Sequence, residues 1–190
     1  SNATTPEEQA ISEMNALLID KLTKGYFGSV EKAENEVVIA PMLADSYDKH
    51  FKKIDWENCF IQPKLDGMRC LAIIKDGKVT LKSRDGKVIA NMMHIEKELS
   101  TIKKDCILDG ELYKHGDSFQ DNMKLIKKYR KGKTEEVLFH IYDSIDSSFK
   151  FQNRMIEAAK TIESWNRKYT CLVKLFSCNS EDHLKTIHAH

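Results

Sequence analysis

Lys64-Leu65-Asp66-Gly67-Met68-Arg69 decides how this chain is read. A lysine, an aspartate, a glycine and an arginine lie within one turn-sized segment between two apolar stretches. Taken alone, Lys-x-Asp-Gly is an ordinary surface turn. Its setting is less ordinary. Ser83-Arg84-Asp85-Gly86 follows, then Leu108-Asp109-Gly110-Glu111-Leu112, then Phe139-His140-Ile141-Tyr142-Asp143. An amine attacks phosphorus only when neutral, and an unperturbed lysine stays protonated up to about pH 10. A nucleophilic lysine therefore needs cationic neighbours, a metal or partial burial. Gly67 permits a tight turn beside Lys64, Arg69 offers donors that fork onto ribose or phosphate, and Asp66 can orient the loop or a cation.

Outward from this segment, Cys59 to Pro63 reads as a strand entering it. Cys70 to Ile74 and Val79 to Leu81 flank Asp76-Gly77, a two-residue turn signal that predicts a tight antiparallel hairpin. Asp85-Gly86 marks a second turn. Met92 to Ile102 reads as helix, Ile107 to Tyr113 as strand, and Asp121 to Lys131 as a basic helix. Val137 to Tyr142 is a buried strand, Phe151 to Trp165 an amphipathic helix, Leu172 to Phe176 a strand, and a short helix starts at Glu181. Upstream, Thr5-Pro6-Glu7-Glu8 is a capping box with proline at the first helical position. Ile11, Met14, Leu17, Leu18 and Leu22 follow at helical spacing, and Gly25 is a natural stop. Val37 to Ala40 is strand-like, and Tyr47 to Lys53 is a short helix. Hairpins mixed with helices, without regular alternation, predict an α+β fold.

The chain has 190 residues, 41% of them apolar, enough for one sizeable core. Thirty basic against twenty-nine acidic residues leave no overall basic coat, although a local basic groove remains open. Five cysteines with no CxxC spacing read as core thiols in a reducing compartment rather than zinc ligands or disulfides. With no membrane-length apolar run and no signal peptide pattern, a cytoplasmic setting is expected. Ser1-Asn2-Ala3 reads as a scar of tag removal. Residues 1–36 are then scar, helix and connector, and 37–190 the functional region. The densest basic cluster is Lys124, Lys127, Lys128, Arg130, Lys131 and Lys133. It reads as a solvated face, or alternatively as a contact for DNA phosphates.

Lys64 to Arg69 resembles the Lys-x-Asp-Gly-x-Arg signature of the covalent nucleotidyltransferases, which include ATP-dependent DNA ligases, RNA ligases and capping enzymes. Leu108 to Leu112 is similar to that family's third motif, and Tyr142-Asp143 to the aromatic-Asp strand after it. Ser83-Arg84 and Ala40-Pro41-Met42-Leu43-Ala44 resemble segments found in DNA ligases. The resemblance, from about Val38 onward, implies an ATP-grasp-like nucleotidyltransferase domain of antiparallel sheets flanked by helices. It implies that Lys64 attacks the α-phosphate of ATP to form lysine-AMP, with Mg²⁺ neutralising the leaving pyrophosphate. Gln62, in place of the usual Glu, would read the adenine amino group, and Arg69 would hold the ribose. Glu111 would bind a ribose hydroxyl or a metal-associated group, and Tyr142 would stack on the base. Ser83 and Arg84 would engage the 5′-phosphate of nicked double-stranded DNA. An RNA ligase, a capping guanylyltransferase or a noncatalytic nucleotide-binding relative are the competing readings. The family's two later motifs, Glu-Gly with an apolar-x-basic strand and Lys-x-Lys, have no counterpart after Phe176. The resemblance therefore implies an incomplete adenylation domain whose own self-adenylylation is weak or absent.

Overall fold

The computed structural model describes residues 5–23, 42, 44–146, 148–163 and 167–188. Gly25, the strand-like Val37 to Ala40, Pro41, Leu43 and Trp165 lie outside these residues.

Helix α1 spans Pro6–Thr23. Its capping box forms as the sequence predicts: the Glu8 amide donates to Thr5 Oγ1 and the Thr5 amide to Glu8 Oε2. Of the apolar positions of α1, Ile11, Met14, Leu17 and Leu18 are all more than half exposed. A short helix α2, Tyr47–His50, runs into a 3-10 turn at Phe51–Lys53.

Strand β1 (Cys59–Ile61) leads into the lysine loop, and β2 (Met68–Lys75) leaves it. Strand β3 (Lys78–Ser83) pairs with β2 through the predicted hairpin. Asp76 and Gly77 both take positive φ, 50° and 71°, as a turn matched to strand twist requires. Helix α3 (Met93–Leu99), strand β4 (Cys106–Tyr113), helix α4 (Phe119–Lys127) and strand β5 (Leu138–Ser144) follow. Helix α5 (Phe151–Glu163) crosses to β6 (Thr170–Leu172), and β7 (Phe176–Cys178) precedes α6 (Glu181–His188).

The main sheet has five strands in the order β3-β2-β4-β5-β6, and β1 pairs with β7 in a second, two-stranded sheet. Two expectations are corrected here. The segment Leu172 to Phe176 is not one strand: β6 ends at Leu172 in the main sheet, and β7 begins at Phe176 in the small one. The main sheet is also mixed, because β6 pairs parallel to β5. The α5 crossover makes that pairing available, since parallel neighbours need a long connection.

The sheet's alternation separates core from site. Cys70, Ala72 and Ile74 of β2, Leu108 and Leu112 of β4, and Phe139 and Ile141 of β5 are buried in one cluster with Ile95 and Leu99 of α3 and Leu125 and Ile126 of α4. The intervening residues, Arg69, Glu111 and Tyr142 among them, cannot join that layer because successive side chains face opposite ways.

Candidate active site

The loop between β1 and β2 crosses β4 at Gly67. A Cβ there would stand 2.3 Å from the Leu112 carbonyl oxygen and 3.0 Å from Glu111 Cγ. The glycine in this motif is thus required by a close backbone approach. The same approach sets the Gly67 backbone near the Glu111 carboxylate, where its N–H favours the charged form. Lys64 lies on the exposed part of the loop, and its charge is felt by Glu111.

Strand register sets the floor. Arg69 is opposite Glu111 in the β2–β4 pairing, and Glu111 is opposite His140 in the β4–β5 pairing. Between Asp109 and Gly110 the β4–β5 register shifts, so that Asp109 pairs with Asp143 and Gly110 with Ile141. Tyr142 is the extra residue of this bulge. A bulge re-aims the residue it contains, and the Tyr142 carbonyl accepts a hydrogen bond from Gln62 Nε2 at 3.1 Å. That contact uses the donor end of the Gln62 amide and leaves Oε1 as its acceptor.

Arg69 is a strut. Its Nε donates to Asp109 Oδ1 at 3.0 Å and its Nη2 to Asp109 Oδ2 at 2.5 Å. Nη1 donates to the Met42 carbonyl, and the guanidinium carbon stands 5.5 Å from the centre of the Tyr142 ring. Three of the five N–H groups are thereby engaged, leaving two for a ligand. Met42, one residue of the Pro-Met-Leu-Ala motif, thus meets the site through its carbonyl.

Electrostatics follow burial. Burial pushes the Glu111 carboxyl up to about 7, against the pull of the Gly67 N–H, Arg69 and Lys64. Burial also raises Asp109, which is 4% exposed, and the hydrogen bonds from Arg69 offset part of that rise. The Tyr142 hydroxyl is held protonated by burial.

Ser83 and Arg84 close the second turn. The Ser83 amide donates to the Lys87 carbonyl at 2.7 Å, and Ser83 Oγ accepts from the Lys87 amide at 3.2 Å. Ser83 is buried, while Arg84 projects into solvent. Gly67, Arg69, Ser83, Arg84 and Glu111 line one cleft of about 520 Å³, which Ala44, Met68, Asp85, Phe119 and Met123 complete. Gln62 and Tyr142 adjoin it through Arg69 and the loop.

Sequence reasoning misses several parts of this site. Asp109 reads, on sequence, as part of an ordinary bend, yet it anchors Arg69. An acidic residue on a strand, one arginine-bearing strand away, is the available signal. Phe119 and Met123 form an apolar cleft wall from the first turns of α4, for which the sequence carries no signal. Asp143, opposite Asp109, is clamped by Arg154 of α5, whose Nε and Nη2 donate to its two oxygens at 2.9 and 2.8 Å.

A family profile described as the ATP dependent DNA ligase domain matches residues 41–185. The chain belongs to that family. No curated protein sequence matches it. Among solved structures, one titled Pmar-Lig_Pre. superposes with a TM-score of 0.65 at 25% identity, over 77% of this chain and 37% of that one. A structure reported under Lig E DNA ligases and their DNA binding with a minimal scaffold gives 0.64 at 19% identity, over 80% and 56%. Chlorella virus DNA ligase-adenylate gives 0.54 at 20% identity, over 68% and 48%. The chain spans between about a third and just over half the length of these ligases. The fold is the nucleotidyltransferase α+β fold expected from the sequence, and the family carries ATP dependence with it.

Proposed function

We propose that this chain is the adenylation module of an ATP-dependent DNA ligase, with Lys64 as the nucleophile. The observation that carries the reading is the convergence of Gln62, Arg69, Glu111 and Tyr142 on one sheet face beneath the Lys64 loop. Lys64 Nζ, once deprotonated, attacks the α-phosphorus of ATP, forms the N–P bond and expels pyrophosphate. The AMP then passes to the 5′-phosphate of a nick in double-stranded DNA, and attack by the 3′-hydroxyl releases AMP as the strand is sealed.

Each residue has a place in this scheme. Gln62 Oε1 accepts from the adenine amino group while Nε2 is held on Tyr142, and Tyr142 stacks on the base. Arg69 offers its two remaining N–H groups to the ribose. Arg84, with Ser83, receives the nick phosphate at the cleft mouth. From the cleft, α4 leads to the basic run Lys127 to Lys133, whose side chains meet duplex phosphates.

Magnesium favours one or two carboxylates completed by water and phosphate oxygens. Among the described residues, no three His, Cys, Asp or Glu side chains surround a common point. Asp109 is committed to Arg69, so Glu111 is the carboxylate that would hold the ion. The ion would neutralise charge on the leaving pyrophosphate.

Arg69, the cation at the centre of the site, is largely engaged by Asp109. The chain by itself is therefore expected to label weakly. With ATP labelled at the α-phosphate, it acquires acid-labile label, and Lys64→Ala acquires none. Label from GTP in place of ATP would favour a capping enzyme, and sealing of nicked RNA but not nicked DNA an RNA ligase. Label that persists in Lys64→Ala would defeat the assignment of the nucleophile.

A further inference from the structure

The two-stranded sheet holds a chemical pair unrelated to nucleotide binding. Cys59 of β1 is the direct register partner of Cys178 of β7. In the other strand registers, Cys70 faces Ser83 and Gly110, Cys106 faces Ile74, and Cys171 faces His140, so among the described strands no other two cysteines are opposed. Directly opposed residues of an antiparallel pair have Cα atoms about 4.5 or 5.5 Å apart. Disulfides span Cα separations of about 4.4–6.8 Å, so either kind of pairing suits a bridge. Both side chains lie on the same sheet face, and the Cys178 thiol is among the groups that raise the Cys59 pKa. All five cysteines are free thiols here. The strand that carries Cys59 ends at Ile61 and passes straight into Gln62, Pro63 and Lys64.

We propose that Cys59 and Cys178 close a reversible cross-strand disulfide, a redox-sensitive staple on the strand that feeds the Lys64 loop. Exposure differs between the partners in a way that orders the chemistry. Cys59 is partly exposed and meets the oxidant, whereas Cys178 is 1% exposed and acts second. With a small-molecule disulfide as oxidant, the Cys59 thiolate attacks one sulfur and releases one thiol. The Cys178 thiolate then displaces the second thiol from the mixed disulfide, so one disulfide is reduced while one forms. Closing the bridge gives up two thiol contacts, that of Cys59 Sγ with the Phe60 carbonyl at 3.9 Å and that of Cys178 Sγ with the Ser180 carbonyl at 3.3 Å. Burial raises the Cys59 thiol above its ordinary value, so the thiolate is scarce near neutrality and the exchange speeds up as pH rises. The staple depends on the fold alone and holds whether or not Lys64 is the nucleophile.

The test is incubation of the whole chain with excess oxidised glutathione, followed by intact mass and disulfide mapping. The expected product has lost two hydrogens, carries one Cys59–Cys178 link, and returns to the starting mass with dithiothreitol. Cys59→Ser and Cys178→Ser each fail to lose the two hydrogens. The oxidised protein melts about 5 °C or more above the reduced one, and amide exchange of residues 62–66 slows. A mass gain of one glutathione per cysteine, a link between other cysteines, or a lower melting point on oxidation would overturn the proposal. Unchanged exchange at 62–66 would overturn the part that joins the staple to the loop.

Discussion

Gly67 is the residue at which the lysine loop meets the sheet, and a methyl group has nowhere to go there. The obstructing atom is a backbone carbonyl, that of Leu112, which cannot rotate away as a side-chain tip would. Gly67→Ala should cost about 2–4 kcal/mol, read from the denaturant midpoint. It should also move the loop backbone away from the Glu111 side chain, whose Cγ stands 3.0 Å from where the new methyl would sit. Arg69→Leu isolates Asp109, a carboxyl with 6% of its side chain exposed. Leaving it unpaired should cost about 3 kcal/mol at neutral pH. The loss should shrink as pH falls, because burial raises the Asp109 pKa and a protonated carboxyl needs no counter-charge. Equilibrium unfolding of the variant at two pH values reads this directly. Glu111 adds a pH dependence of opposite sign to that of most carboxylates. Its folded-state pKa is about 7 and its ordinary value is 4.5. Between those values the folded protein holds a proton that the unfolded chain has lost, so stability falls as pH rises through the window. Glu96, also raised by burial, acts in the same direction. Glu111→Gln should flatten, without abolishing, the decline in melting temperature between pH 5 and pH 8, and above pH 7 it should be the more stable protein by about 1 kcal/mol. It should at the same time weaken nucleotide labelling, which separates a functional carboxylate from a merely structural one.

At the scale of elements, the turn after α4 has a defined internal frame. Thr134, fully buried, accepts from the Arg130 amide at 2.8 Å and donates to the Leu125 carbonyl at 3.2 Å. Asn91 Nδ2 donates to the Ile126 and Lys127 carbonyls at the end of the helix. The backbone is thus satisfied from beneath, and Lys127, Lys128, Arg130, Lys131 and Lys133 all face solvent. Thr134→Val keeps the shape but strands the Arg130 amide, at a cost of about 1–3 kcal/mol in a urea titration. Strand β5 is secured in a similar manner, because the Asp143–Arg154 fork fastens the residue after Tyr142 to α5. The bulge at Tyr142 is therefore held from two sides, by Gln62 and by α5.

For the whole molecule, net charge is +1, so the DNA binding that the proposed function requires cannot come from a general basic coat. Affinity should instead come from a few placed cations. Reversing Lys127, Lys128 and Lys131 to glutamate should reduce the slope of log affinity against log salt by about 0.9 for each phosphate no longer neutralised. ATP labelling of Lys64 should be untouched. A slope unchanged by the three reversals would return this face to the role of a solvated surface. Among the described residues no helix is long and apolar enough to cross a membrane. Ile11, Met14, Leu17 and Leu18 of α1 lie more than half exposed, with no explanation among the described residues.

Local chemistry made much of this legible in advance. Asp76-Gly77 demanded a hairpin, Thr5 and Glu8 demanded a cap, and the order of four motifs pointed to the family that the profile match then showed. These are short-range effects, set by backbone preference and hydrogen bonding within a few residues of chain. What depended on distant partners was not legible. The bulge that leaves Tyr142 unpaired, the pairing of Asp109 with Arg69 from another strand, and the division of Leu172 to Phe176 between two sheets all arise from register. Register is set by which strands meet and by the α5 crossover, and no local window of sequence records either.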